Sequence, residues 1–255
     1  MFRKCLAKNV VFGLNFLGFR QFSTSSSNFV HYPNGHLWST EFWDDFYKKK
    51  WNSKENSFDW FLSYESLKQP LSLIFKETCD AGCVPIRVLD IGSGTSDFAV
   101  QLYKSSTPPV HQITCVDFSD VATQQMSSLH RQLEPDDAAS TGVTYITGDV
   151  KNLPFEDDTF DIILDKGTTD AVVRAPRGEE AFDGIFRECS RLLKDGRMWL
   201  QVSDTPPEDR LDLINRSKLK ISHKDYSFQI SYKDLGVHFG IEYFMYLIQK
   251  NFKVV

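Results

Sequence analysis

The fold is decided by the segment Arg87-Val88-Leu89-Asp90-Ile91-Gly92-Ser93-Gly94-Thr95-Ser96-Asp97. An apolar, β-branched run that ends in an acid and meets two glycines is typical of a buried strand that passes into a helix through a tight loop. Gly92 and Gly94 let the backbone turn sharply and approach a ligand closely. Asp90 places a carboxylate beside that ligand, where it would repel a pyrophosphate. The loop therefore favours a neutral or cationic nucleoside, and S-adenosylmethionine, with its sulfonium, ammonium and ribose, fits it.

The hydrophobic pattern around this segment predicts an alternation of strands and helices. Two helices are expected before it, at 39–51 with Ser39 or Thr40 as N-cap and at 58–75. From there on, strands are expected at 86–91, 112–116, 143–146, 160–164 and 197–202, helices at 96–103, 119–133 and 179–193, and a closing strand pair at 227–232 and 243–249. This order predicts an α/β fold: a doubly wound, mostly parallel seven-strand sheet of Rossmann-like type with N-terminal helices.

Four predicted strands are each followed or closed by an acid, namely Asp90, Asp117, Asp149 and Asp165. In such a sheet a ligand lies beyond the carboxyl ends of the strands, next to the first strand. We expect Asp117 to accept hydrogen bonds from ribose hydroxyls and Asp149 to accept one from an adenine amino group. One acid at a strand end has little meaning, but four around a glycine loop predict a nucleoside site.

A nicotinamide dinucleotide is the alternative ligand for a glycine loop of this kind. It would call for a third small residue, where the helix packs closely and its N-terminus receives the pyrophosphate. Asp97 occupies that position, and Asp90 adds a second negative charge. The sequence therefore disfavours a dinucleotide.

The first residues have the composition of a targeting segment. Residues 1–22 are basic, free of acids and rich in Phe, Leu and Val, and a hydroxyl tract begins at Ser23, which is typical of a mitochondrial transit peptide. A secretory signal is the competing interpretation, but polar residues interrupt the apolar run. We expect a transit peptide at 1–22, a linker at 23–38 and one domain at 39–255.

Charge and cysteine content limit the partners. Beyond the first forty residues, 25 basic side chains face 34 acidic ones. This balance argues against nucleic acid and allows a basic protein partner. The five cysteines and six histidines show no metal-ligand spacing, so neither a metal nor a disulfide is expected. No stretch is long and apolar enough to predict a membrane span.

The motifs as a set resemble those of the class I, seven-strand methyltransferases that use S-adenosylmethionine. They are most similar to the subgroup that methylates lysines of elongation factor 1A and of citrate synthase. The resemblance covers residue 40 to the C-terminus. It rests on the segments FWDDFY at 42–47, FDWF at 58–61, LDIGSGTS at 89–96, DFS at 117–119, LPF at 153–155, LDKGTTDA at 164–171 and GIEYFMYLIQ at 240–249.

The resemblance implies roles for individual residues. Side chains of the N-terminal helices would wall the methyl donor, Gly92 would touch it through backbone, and others would hold its ribose, adenine and methionine parts. In chain order the implied cofactor-binding set is Trp43, Tyr47, Trp60, Asp90, Gly92, Gly94, Asp117, Phe118, Asp149, Val150 and Lys166. Ser93 and Thr169 depart from the usual residues of the family.

The resemblance also implies the acceptor. It would be a lysine of a protein, with citrate synthase in the mitochondrial matrix as the expected partner. For the transfer itself, we expect Asp165 or Asp170 to orient the amine or relay its proton. A small-molecule methyltransferase and a donor-binding assembly factor without activity are the alternatives.

Structural roles are an open alternative for several of these residues. Trp43 and Trp60 could be core aromatics and Lys166 a surface ion pair. Asp170 could cap the following helix, and Asp59 could cap a helix that begins at Trp60.

Overall fold

The computed structural model describes residues 36–53, 57–78, 86–106, 109–133, 142–221 and 226–252. The predicted transit peptide and most of the predicted linker lie outside these residues. The described helices are α1 (Thr40–Asn52), α2 (Tyr64–Thr78), α3 (Phe98–Ser105), α4 (Asp120–Leu133), α5 (Thr168–Val173), α6 (Gly178–Leu192) and α7 (Pro207–Lys220). The strands are β1 (Ile86–Ile91), β2 (Val110–Asp117), β3 (Val143–Thr147), β4 (Phe160–Lys166), β5 (Leu193–Ser203), β6 (Tyr226–His238) and β7 (Ile241–Phe252).

The strands form one seven-stranded sheet in the order β3-β2-β1-β4-β5-β7-β6. The first five strands in this order are parallel, whereas β7 runs antiparallel to both β5 and β6. The predicted doubly wound, mostly parallel sheet with a closing pair is therefore confirmed. The strand order reverses between β1 and β4, and the crevice at such a point is where ligands bind in open α/β sheets.

The inner strands of the sheet are buried on both faces, because their side chains alternate between the faces and helices cover each face. Val88 and Ile162 pack on one face with α2 and α3. Leu89 and Ile163 point to the other face and pack with α6. The side chains on both faces of the inner strands therefore pack in the core. A ligand site is expected at the carboxyl ends of these strands instead.

The helix predicted at 58–75 is wrong in its first part, since α2 begins only at Tyr64. Phe61 adopts a positive φ of 65°, which a helix cannot contain. The Trp60 carbonyl instead accepts a hydrogen bond from Lys166 Nζ at 2.9 Å, and the Phe58 N–H donates to the Thr95 carbonyl at 3.1 Å. Tertiary contacts with the strand ends override the local helical pattern. The suggestion that Asp59 caps a helix at Trp60 is wrong for the same reason.

Two helices were missed. The short α5 follows Gly167, and Asp170 lies inside it, so the suggestion that Asp170 caps a helix is also wrong. The polar α7 has few apolar residues to reveal its period, although Pro207 at its first turn and the two acids after it are helix-start signals. Strand β5 also begins earlier than predicted, because it continues through the turn-like residue Gly196, which has a φ of 71°.

Candidate active site

The glycine loop after β1 is clamped between two distant segments. Gly92 and Gly94 have φ values of 63° and 54°, in the left-handed region that favours glycine. A Cβ atom on Gly92 would overlap the Thr168 hydroxyl, which donates to the Ile91 carbonyl at 2.8 Å. A Cβ atom on Gly94 would press on the Tyr47 hydroxyl. Both glycines are therefore needed for the close approach of α5 and α1 to the loop.

Asp117 fixes this loop from the end of β2. Its Oδ2 accepts from the Gly94 N–H at 2.8 Å and its Oδ1 accepts from the Ser119 N–H at 2.9 Å. Burial raises the pKa of Asp117 to about 6, against the opposing effect of these two N–H donors. Each carboxylate oxygen has lone pairs beyond the bonds it makes here. Asp117 can therefore accept from ligand hydroxyls in a fixed orientation, and Phe118 beside it packs in the aromatic cluster on α1.

Asp90 is the one acid of the predicted set that is buried without any hydrogen bond to its side chain within the described ranges. Its exposed fraction is 6 %. Burial raises its pKa to about 7; the Lys166 ammonium opposes this shift, whereas Asp165, Asp59 and Asp117 add to it. A carboxylate that is so little exposed is costly to ionise, and a positive charge that comes next to it offsets this cost. This position therefore fits a ligand that carries positive charge.

Aromatic side chains cover the loop from α1. Trp43 and Tyr47 are buried, with stacked rings whose centroids are 5.5 Å apart, and the Trp60 ring meets Trp43 edge-on at 5.6 Å. The hydroxyl of Ser119 donates to Asp44 on α1 at 2.5 Å, which ties this helix to the start of α4. These rings form a cluster of their own, separate from the two cores of the sheet.

Lys166 lies on the other side of the site and forms an ion pair, as one interpretation of the sequence expected, but the pair is largely buried and its partner was not identified from the sequence. Its Nζ donates to Asp59 at 2.9 Å, and Asp59 also accepts from the Ser96 hydroxyl at 2.5 Å. The two charged side chains are only 12 % and 21 % exposed, so this is no surface pair. The Trp60 ring lies so close to Gly167 that a Cβ atom there would overlap it. Lys166 and Asp59 thus anchor the segment 57–63 over the strand ends.

Asp149 and Val150 lie on the turn after β3. The Gly148 N–H donates to the Asp117 carbonyl at 2.9 Å, which brings this turn next to the end of β2. The Asp149 carboxylate is exposed, accepts from the Lys151 N–H at 3.0 Å and pairs with its ammonium at 3.2 Å. Val150 is buried in the core. The turn that carries both residues therefore lies next to the end of β2, with Asp149 exposed and Val150 packed in the core.

Asp165 and Asp170, the candidate catalytic acids, are both buried. Asp165 accepts from the N–H groups of Thr168 and Thr169 and from the Thr169 hydroxyl at the start of α5. Burial raises the pKa of Asp165 to about 6. Asp170 forms an ion pair with Arg210 of α7. Arg210 was missed because the helix that carries it was missed.

The residues that the structure describes contain no group of three or more His, Cys, Asp or Glu side chains arranged to hold a metal ion. None of the helices in the described part combines the length and apolar character needed to cross a membrane.

The residues at the strand ends fit S-adenosylmethionine. The Asp90 carboxylate would lie beside the positive charge of the donor, the Asp117 carboxylate would accept from its hydroxyl groups, and the glycine loop would allow close backbone contact. The aromatic cluster would shield the same place from water. That the residues named in the sequence analysis hold this cofactor stays a prediction; Asp59, which pairs with Lys166, and Asp44, which accepts from Ser119, would support them.

Comparison with known proteins gives the family. The methyltransferase domain family matches residues 85–245. The citrate synthase-lysine N-methyltransferase CSKMT, mitochondrial, of Homo sapiens is 34 % identical over 217 residues, which is 81 % of this chain and 84 % of that protein. The protein of the same name from Danio rerio is 28 % identical and covers 81 % of each chain.

A solved structure supports the fold. The TehB-like S-adenosylmethionine-dependent methyltransferase from Corynebacterium glutamicum has 15 % identity and a TM-score of 0.51, with 82 % of this chain and 98 % of that chain covered. The chain belongs to the class I methyltransferases that use S-adenosylmethionine as cofactor, in the group that includes the citrate synthase-lysine N-methyltransferases.

Proposed function

We propose that this chain is a protein-lysine N-methyltransferase of the mitochondrial matrix and that citrate synthase is its substrate. The observation that carries the proposal is the 34 % sequence identity to the human enzyme of that name, in an alignment that covers 81 % of this chain. The acidic charge balance beyond residue 40 supports it, because an acidic surface suits a partner that presents a lysine.

The cofactor supplies the methyl group, and the chain supplies the place where the transfer occurs. Asp90 offers negative charge to the cationic donor in a buried environment, where charge interactions are stronger than in water. Trp43, Tyr47 and Trp60 exclude water from the same place. Binding both reactants in line turns a bimolecular reaction into a step within one complex, which accounts for much of the acceleration in enzymes of this kind.

The acceptor lysine must react as a neutral amine, although its ordinary pKa is about 10.4. Burial beside aromatic rings disfavours the ammonium. Asp165 stands at the end of β4, opposite Ile91 of β1 in the sheet register, and therefore lies next to the donor loop. We propose that Asp165 orients the amine and receives its proton. The three hydrogen bonds that its carboxylate accepts at the start of α5 leave one lone pair for the amine.

Replacing Asp90 should weaken donor binding and, at the same time, stabilise the ligand-free protein. With Asp90→Asn we expect a loss of donor affinity of at least about tenfold in calorimetry, since the buried charge for the cationic ligand is removed. The folded pKa of about 7 lies above the unfolded one, so the carboxylate destabilises the fold increasingly as pH rises from roughly 4 to 7. Asp90→Asn should therefore raise the melting temperature of the ligand-free protein at pH 8 and lose this advantage near pH 4.

The matched control for this variant is Asp120→Asn, which removes an exposed carboxylate at the start of α4. It should leave donor affinity unchanged and show no gain in melting temperature at pH 8. Wild-type donor affinity in Asp90→Asn, or a lower melting temperature at pH 8, would contradict the role given to Asp90.

The substrate is tested with purified citrate synthase and a donor that carries a labelled methyl group. We expect label on a lysine of citrate synthase, read by mass spectrometry, and clearly less label with Asp90→Asn when the donor concentration is below the donor Kd. Label confined to low-mass products would indicate a small-molecule methyltransferase instead. Intact donor binding with no labelled protein in a matrix extract would indicate a donor-binding factor without activity, and either result sinks the proposal.

The location is tested through the first residues. We propose residues 1–22 as the import signal, residues 23–38 as the linker and residues 39–255 as the catalytic domain. A fusion of residues 1–27 to a fluorescent protein should enter isolated mitochondria and be shortened there. Exclusion of this fusion from the matrix would refute the import signal.

A further inference from the structure

A buried charge network lies behind α5, on the side away from the glycine loop. Its cation is Arg210 of α7, with an exposed fraction of 1 %. The guanidinium donates to the Thr169 hydroxyl at 3.1 Å and to the Ser203 hydroxyl at 2.8 Å, and it pairs with Asp170. These contacts join α7, α5 and the end of β5 in one place.

The network reaches Asp165 through a single side chain. The Thr169 hydroxyl accepts from Arg210 and donates to Asp165 Oδ2 at 2.7 Å. The other oxygen of Asp165 accepts from two N–H groups at the start of α5. The direction and charge of the Asp165 carboxylate thus depend on a guanidinium that lies two hydrogen bonds away.

Asp170 opposes Arg210 in this arrangement. Its Oδ1 accepts from the hydroxyls of Ser203 at 2.5 Å and Thr205 at 3.1 Å, besides the guanidinium. Its Oδ2 and the Nε of Arg210 are both buried and have no hydrogen-bond partner in the part of the chain that the structure describes. A buried ion pair with unsatisfied atoms is seldom better for stability than apolar residues of the same volume. Stability alone therefore does not account for this network.

We propose that Arg210 and Asp170 are a positioning pair, which acts through Thr169 to hold the Asp165 carboxylate toward the acceptor amine. The proposal rests on the proposed function and deepens it on the acceptor side. Neither member of the pair touches the donor loop; Asp170 is thereby removed from the catalytic candidates, and Asp165 is left as the acid that faces the amine.

The groups around Asp165 give the two members of the pair opposite effects on its charge. It is faced by Asp90 from β1, Asp170 from α5, Cys189 from α6 and Arg210 from α7. Asp170 raises the pKa of Asp165, whereas Arg210 and the Thr169 hydroxyl lower it. Removing Arg210 and removing Asp170 must then move this pKa in opposite directions.

The test compares Arg210→Met, Asp170→Asn, Thr169→Val and Thr169→Ser. The carboxyl carbons of isotope-labelled aspartate report the titration of Asp165 by NMR, with Asp165→Asn to assign the signal, and the pH profile of kcat is measured in parallel. We expect Arg210→Met and Thr169→Val to move the titration and the acid limb of the profile to higher pH, and Asp170→Asn to move both to lower pH.

Arg210→Met, Asp170→Asn and Thr169→Val should lower kcat by roughly tenfold to a hundredfold, because a misplaced catalytic group slows the transfer step. They should change the donor Kd by less than about twofold, because none of these residues contacts the donor in the proposed arrangement. Thr169→Ser keeps the hydroxyl and should restore both the pH profile and kcat. If Arg210→Met fails to fold, the opposite shifts of Thr169→Val and Asp170→Asn carry the test.

A merely structural network gives a different result. Shifts of the same sign in all variants, no shifts, or no difference between Thr169→Val and Thr169→Ser would overturn the proposal. The NMR titration needs no acceptor, so opposite shifts without any labelled lysine would refute the proposed function alone. A labelled lysine without opposite shifts would refute this inference alone.

Discussion

The burial of the Asp90 carboxylate is the constraint on which the site depends. The carboxylate stands at the end of β1, where the strand order reverses, and no hydrogen bond reaches it in the described part of the chain. Burial raises the pKa of this carboxylate to about 7, so that its ionised form is costly until a positive charge lies next to it. The same charge excludes phosphates from the loop that follows. One residue thus sets both the preference for a cationic nucleoside and a cost in stability, the exchange often found at functional sites.

The remaining parts of the site are built by contacts between segments far apart in the chain. Asp117 orders the glycine loop through the Gly94 N–H, and Tyr47 covers the same glycine from α1. Lys166 and Asp59 hold the segment 57–63 across the end of β4. The segments that meet the loop are therefore each joined to another element by hydrogen bonds or close packing. Such preorganisation is what a transfer reaction with little covalent assistance from the protein requires.

Features of the fold and the site that depend on local sequence were predictable, whereas features that depend on contacts between distant residues were not. The sheet, its closing pair and the acids at the strand ends were predictable, because each strand shows its apolar run or its alternation of apolar and polar residues within its own sequence. The segment at 58–63 was not, since its conformation is set by Lys166 and Thr95 rather than by its neighbours in sequence. Arg210 was not either, because α7 shows too few apolar residues to be recognised as a helix. The burial of Arg210 depends on its ion pair with Asp170. The two residues are forty positions apart, so that no local sequence pattern indicates the pair.

The most direct measurement of the central claim is the number of protons released when S-adenosylmethionine binds at pH 6, from calorimetry in buffers of different ionisation enthalpy. At this pH Asp90, with a pKa of about 7, is largely protonated in the ligand-free protein, and a cationic ligand beside it expels the proton. Release at pH 6 that declines as the pH rises to 8 is the expected result. Binding with no release, or with proton uptake at pH 6, would contradict the claim that a buried acid at the end of β1 receives the positive charge of the donor.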